Sequence, residues 1–321
     1  MSPQTKFELK PGPATREAFG RTLVELGREN PNVVVCDADL SKSTYTHLFA
    51  KEFPDRFFEC GIAESNMVAI GSGLASSGKT AFISSFSAFV LNKGFEQLRI
   101  TAAYGEVPLK VVGTHSGISI GEDGPSQMAI EDISLACSLA GFTVVSPADD
   151  PSMAALVRLA AAHNGPVFLR AGRAKCPLVY GNGQKFELGK AVRLIDGRDV
   201  TLFATGLLVA ESIRAAEALE AEGISAAVVD IHTIKPIDRD TIAQAAAQTG
   251  ALVVSEEHLV DCGLGVRVAQ VVSETRPCPI EFVGIQNTYA ESGSPEGLLD
   301  KYGLTARDII AAAKRAIRRK R

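Results

Sequence analysis

The chain has 321 residues, 46% of them hydrophobic and 22% charged, with a formal net charge of −4. That length has room for two globular domains, and the lack of a positive excess excludes the basic face that nucleic-acid binding needs. Six cysteines (Cys36, Cys60, Cys137, Cys176, Cys262 and Cys278) occur without a C-x-x-C pair, which argues against a zinc site or a disulfide framework and fits a reducing cytosol.

In chain order, MSPQTKFELKPGP lacks the apolar core of a signal peptide, and no later run approaches the length of a membrane span, so a soluble cytoplasmic protein is expected. NVVVCDAD, PLKVVGTH, TVVSPAD and PVFLRAG then read as short buried strands separated by helical stretches. This is the rhythm of an α/β fold with a mostly parallel sheet. RAKCPLVYGNGQKFELG is rich in Gly and Pro and aperiodic, as a linker should be. Beyond it VTLFATG, the helix-patterned LLVAESIRAAEALEAEG, SAAVVDIH, ALVVSEEH and IEFVGI form a second, smaller α/β set. The expected domains are therefore 1–185 and 186–321. The terminal AKRAIRRKR suits the last turn of a helix, where cations interact with the dipole.

GLASSGKT, residues 73–80, matches the P-loop pattern letter for letter. A P-loop works as a turn from a strand into a helix. Here Met67, Ile70 and Leu74 set a helical period before the match, and TAFISSFSAF reads as a strand after it. The helix would present its negative end to the loop, so phosphate binding is not expected, and Gly78 reads as the residue that ends the helix. GSGLAS fails as a dinucleotide fingerprint for the same reason.

The same helix begins in FFECGIAESNM. Glu64 there lies among Gly61, Ala63 and Ser65, small neighbours that let a flat group approach; alternatively it is an acid paired with the helix dipole. Phe86 and Phe89 in SSFSAFV offer aromatic faces, or ordinary core. Asp39 in DADLS is a further candidate acid, or a strand-end cap.

The motifs GIAESNM, SSFSAFV, GTHSGISIGEDGPSQ and FLRAGR occur in an order that resembles the C-terminal part of transketolase, a thiamine diphosphate enzyme. The resemblance covers essentially the whole chain, and related thiamine enzymes share the general layout. It implies that 1–185 is a pyrimidine-binding domain and 186–321 the transketolase C-terminal domain. It makes Glu64 the acid that bonds the aminopyrimidine ring nitrogen and favours the imino tautomer, whose exocyclic nitrogen can take the thiazolium proton. Phe86 and Phe89 would line that ring, and Asp39 would stand beside the cofactor at a subunit interface.

The resemblance also makes Arg16, Ser43, His115 and Arg173 the group that binds the acceptor phosphate, chemistry that suits two guanidinium forks, a hydroxyl and an imidazole. Asp123 would contact a donor hydroxyl. The family commonly has His at the next donor position, where this chain has Gln127. The other histidines (His47, His163, His232 and His258) and EEHLVDCGLG are read as structural.

The family's G-D-G motif and magnesium Asn have no counterpart here; the nearest string, E-D-G at 122–124, is already used. The resemblance thus implies a split enzyme. A separate N-terminal subunit would bring the Mg²⁺ and the diphosphate site, in an α2β2 assembly. The expected reaction is glycolaldehyde transfer from a ketose phosphate to an aldose phosphate. Rival readings are the β subunit of a 2-oxo acid dehydrogenase E1 component, a deoxyxylulose phosphate synthase-like enzyme, a non-catalytic partner, and a P-loop NTPase.

Overall fold

The structure, a computed structural model, describes residues 7–181 and 183–320. Its first half runs β1 (Lys10–Ala14), α1 (Thr15–Glu29), β2 (Val33–Asp37), α2 (Ser41–Thr44), α3 (His47–Glu52), β3 (Phe57–Glu59), α4 (Glu64–Ser76), β4 (Thr80–Phe86), α5 (Ser87–Gln97), β5 (Lys110–Thr114), α6 (Asp132–Ser138), β6 (Thr143–Val145), α7 (Asp150–Ala162), β7 (Val167–Arg170) and β8 (Lys175–Leu178). The second half runs β9 (Val192–Ile195), β10 (Val200–Ala204), α8 (Leu208–Ala221), β11 (Ala226–Asp230), β12 (Thr233–Lys235), α9 (Arg239–Thr249), β13 (Leu252–Leu259), α10 (Leu264–Thr275), β14 (Ile280–Ile285), α11 (Pro295–Lys301) and α12 (Ala306–Arg318).

Strands such as β2 (VVVCD) and β5 (KVVGT) are buried along their whole length, which is why they read as continuous apolar runs rather than alternating ones. Among the described residues they form a seven-stranded sheet ordered β12-β6-β7-β5-β4-β2-β3, and a five-stranded one ordered β14-β13-β10-β11-β9. The first sheet is parallel except for the β12 edge, and the second parallel except for β9. One apolar cluster spans both, joining Met67, Ile83 and Phe168 to Phe203, Val229 and Val254.

Three elements depart from the sequence reading. The aperiodic linker contains β8, which pairs antiparallel with β1 in the register Lys10↔Leu178 and Pro11↔Pro177. Proline cannot donate to a ladder and masks a strand in the sequence pattern. Strand β12, from the second half, crosses to pair with β6 in the first sheet. The strand ending the P-loop match stops at Phe86, and Ser87-Ala88-Phe89 opens helix α5.

The turn at 76–80 has the polarity expected. Helix α4 enters it, Gly78 takes φ +86°, and the Gly78 and Lys79 amides donate to the carbonyls of Ala75 and Leu74 at 3.0 and 3.1 Å. Those are the two bonds of a Schellman helix stop. All six cysteines are free thiols. Among the described residues no helix is long and apolar enough to cross a membrane.

Candidate active site

Parallel strands end on one side of a sheet, and in open α/β sheets ligands bind beyond those ends. Asp39, Glu64, Phe86, His115 and Arg173 all follow or close strands β2, β3, β4, β5 and β7 there. Arg16 joins them from the first turn of α1. The loop after β2 is built on Asp37, a buried carboxylate that accepts from Leu40 N (2.7 Å), Thr44 Oγ1 (2.7 Å) and Thr46 Oγ1 (2.8 Å). It carries Asp39 and Tyr45 in left-handed conformations, φ +62° and +66°, uncommon for such residues and a mark of a loop shaped by its surroundings.

Glu64 is the first residue of α4 and is only 4% exposed. Its partner is the Lys93 ammonium, 3.4 Å from Oε1. Two contacts bring α5 this close: Ser65 Oγ donates to Lys93 O at 2.5 Å, and Gly94 sits where a Cβ would come 2.9 Å from Val68. Lys93 Nζ also lies over the Phe89 ring, 4.5 Å from its centroid. Phe89 stacks on Phe86 (5.4 Å, 16°), and Phe86 on His115 (3.7 Å, 22°). A row of side chains thus runs from Glu64 to His115. Gly61, left-handed at φ +69° and three residues before the acid, faces open space where a Cβ would stand.

At the far end of the row, Arg16 Nη1 donates to His115 Nε2 (3.1 Å) and Ser43 O (2.8 Å). A guanidinium has no acceptor, so Nε2 carries the lone pair and Nδ1–H donates to Thr114 Oγ1 at 2.9 Å. Burial, then the charges of Arg16 and Arg173, push the His115 pKa down to about 3, so the ring is neutral. His115 is itself left-handed, φ +57°. Burial also lowers the pKa of Arg16, whose Nε is buried without a partner. Arg173 is held by Ile120 O (2.7 Å) and Glu122 Oε2 (3.0 Å). Two guanidinium groups that repel each other around a neutral imidazole, one with an idle donor, are chemically suited to an anion.

Ser43 meets Arg16 through its carbonyl, not the hydroxyl. Asp123 is exposed, and its charge acts on Arg16. Gln127 Oε1 accepts from Ser126 Oγ at 2.7 Å. Asp39 is exposed, and its amide donates to Glu59 Oε1 at 2.8 Å. Sequence reasoning missed Lys93, Glu122 and Tyr45, whose ring lies 5.3 Å from the Arg16 guanidinium carbon. Lys93 was findable: four residues after Phe89 is the same face of a helix. Reading Phe89 as strand concealed it.

The chemistry of this rim fits an aminopyrimidine: a buried acid, stacked aromatic faces and an open glycine. Among the described residues no group of three or more His, Cys, Asp or Glu side chains is placed to hold a metal ion.

Fold and rim together define an α/β chain with a candidate site beyond the ends of its parallel strands and a second α/β domain attached. Residues 11–177 match the transketolase pyrimidine binding domain and 189–309 the transketolase C-terminal domain. The chain belongs to the transketolase family. It is 36% identical over 305 residues to the 6-deoxy-6-sulfo-D-fructose transketolase subunit SqwH of Clostridium sp., covering 95% of each chain. To the mouse transketolase-like protein 2 it is 41% identical over 94% of its own length, but spans only 48% of that protein. Among solved structures it resembles a split gene transketolase, an inactive beta4 tetramer, with TM-score 0.91, 47% identity, and coverage of 97% of this chain and 100% of that one.

Proposed function

We propose that the chain, with domains 1–185 and 186–321, is the pyrimidine-binding subunit of a two-chain cytoplasmic transketolase that moves a glycolaldehyde unit from a ketose phosphate to an aldose phosphate. The observation that carries this reading is the continuous row from Glu64 through Phe89 and Phe86 to His115, ending at Arg16 and Arg173. On this reading a cofactor acid and an anion site would lie a few side chains apart. Thiamine diphosphate, when bound, supplies the carbanion chemistry that breaks and remakes the carbon–carbon bond beside a carbonyl. Glu64 would hold the pyrimidine ring nitrogen, Phe86 and Phe89 the ring face, and Asp39 the edge toward the partner.

Arg16 and Arg173 would bind the sugar phosphate, with His115 orienting Arg16 through Nε2 and Ser43 completing the pocket. Asp123 and Gln127 would meet the donor hydroxyls. A separate N-terminal subunit would contribute the diphosphate site and Mg²⁺, in an α2β2 assembly. The half-length match to mouse transketolase-like protein 2 and the split gene relative support that division.

The test is co-expression with the diphosphate-binding chain and assay of two-carbon transfer, with ketose phosphates and 6-deoxy-6-sulfo-D-fructose as donors, the latter because of the SqwH relative. Glu64→Ala should abolish turnover while the assembly still elutes intact. Undiminished turnover would refute the role of Glu64.

A further inference from the structure

The EEH segment of β13 reaches into the first domain and touches the loop that runs from His115 to Asp123. Glu257 is fully buried (3% exposed), and its Oε1 accepts the backbone N–H of Ser119 at 2.5 Å. The loop presses directly on this carboxyl group: a Cβ at Gly117, φ +77°, would lie 2.1 Å from Glu257 Cδ. The main chain of Glu257 is tied in as well, its carbonyl accepting from Arg170 Nη2 at 2.9 Å. Arg170 Nε donates to Asp132 Oδ2 (2.8 Å), which also accepts from Ser87 Oγ (2.9 Å), the first residue of α5. One buried network therefore holds both the anion-site loop and the helix bearing Phe89 and Lys93.

Behind the proposed anion site lies a cavity of about 30 Å³ with a mixed polar and apolar lining that includes Thr15, Ser116, Ser119, Arg170, Gly172 and Glu257. That is enough for a water molecule. Thr15, Ser116 and Gly172 are the chain neighbours of Arg16, His115 and Arg173, and Gly172 N donates to Thr15 Oγ1 at 2.8 Å.

A buried carboxylate is costly, and an apolar residue of its size would pack as well. Burial pushes Glu257 up to about 7 against the pull of Arg170 and Ser119. Its cost and its aim at one loop amide indicate a positional role.

We propose that Glu257 is a positioning residue contributed by the C-terminal domain, which fixes the His115–Asp123 loop through the Ser119 amide and so sets the geometry of the anion site. This rests on the functional reading above for its kinetic consequence, but not for its structural one. The experiment uses the two-chain complex and compares Glu257→Ala and Glu257→Gln, the latter keeping the shape and a carbonyl acceptor.

For E257A at pH 8, above the value of about 7 at which Glu257 ionises, amide hydrogen exchange over 116–123 should accelerate about ten- to a hundredfold, the worth of a hydrogen bond to a charged group. KM for the sugar phosphate should rise by a similar factor, with kcat within about twofold, because the loop binds the anion instead of the reacting bond. E257Q should bring both back to within about threefold of wild type, the difference between charged and neutral acceptors.

Should the alanine chain not fold, Glu257→Met keeps the volume without the acceptor and reads the same effect. Unchanged exchange at 116–123, equal acceleration throughout β10–β14, or failure of Gln to restore the loop would each overturn the proposal. If the wild-type complex transfers no glycolaldehyde, the functional reading fails, and the exchange comparison still decides the role of Glu257.

Discussion

Replacing Arg16 with Met removes the charge while keeping most of the stem. In the structure Arg16 donates to Ser43 O at 2.8 Å and His115 Nε2 at 3.1 Å, and its Nε has no partner. Around the proposed anion site it faces Arg173, whose charge lowers its pKa further after burial has done so. A bound phosphate would turn that repulsion into two attractive contacts. A hydrogen bond between charged groups contributes about 1.5–3 kcal/mol, so Arg16→Met should raise KM for the aldose phosphate roughly ten- to a hundredfold. The kcat value should stay within about twofold, since the contact is the same in ground and transition states.

The assay is steady-state transfer by the two-chain complex, with an aldose phosphate and its unphosphorylated counterpart as acceptors. The unphosphorylated acceptor should lose nothing on mutation. Arg173→Met should behave alike, and the double mutant should fall short of the summed single effects because both cations share one anion. A KM that does not move, or an equal loss on both acceptors, would refute the placement of the phosphate. The ring of His115 should remain neutral in Arg16→Met, because burial, which persists, is the larger cause of its lowered pKa.

Stability should depend on pH in opposite senses at two buried groups. His115 titrates at about 3 in the native chain against an ordinary 6.5. The unfolded chain binds the extra proton in that window, so this contribution is complete above about 6.5 and is lost as pH falls toward 3. In thermal melts His115→Asn, which tolerates the left-handed backbone, should flatten that acid-side decline. Asp230, buried beneath the Tyr180 hydroxyl at 2.7 Å, is pushed up to about 8 by burial. Here the native chain binds the extra proton, so stability is greatest below 3.8 and is lost as pH rises through about 8. Asp230→Asn should flatten that alkaline decline; an unchanged slope would mean the group titrates normally. Asp149 accepts the amides of Ser152, Val179 and Tyr180, joining the start of α7 to the segment after β8. Asp149→Ala should cost about 3–5 kcal/mol in chemical denaturation, the sum of a lost cap and two orphaned amides, and a cost below about 1 kcal/mol would show that water replaces the carboxylate.

What could be read from the sequence was what is local in the chain. Parallel strands buried on both faces announce themselves as unbroken runs such as VVVC, and the rim follows from where those runs end. The positions of Glu64 and His115 beyond strand ends were legible because each follows a strand-like run inside a dense motif. Long-range pairings left no local trace. Ser119 and Glu257 are 138 residues apart, and neither ISIGED nor SEEH carries a sign of the other. The antiparallel pair β1–β8 was hidden by its prolines and β12 by its crossing between sheets, although each is plain in the backbone. Lys93 was lost to a single misplaced boundary, since a strand puts successive side chains on opposite faces and a helix aligns residues four apart.

The same local logic settles GLASSGKT, where letters and geometry disagree. A phosphate cradle needs loop amides that are free to point at an anion. Here the Gly78 and Lys79 amides are already bonded to the carbonyls of Ala75 and Leu74. A helix that ends in a loop takes up that loop's donors for its own unsatisfied carbonyls, whereas one that begins in a loop leaves its amides outward. Chain direction therefore decides whether such a motif can bind phosphate. It removes the anion from residues 73–80, and the proposed anion site rests on Arg16 and Arg173 instead.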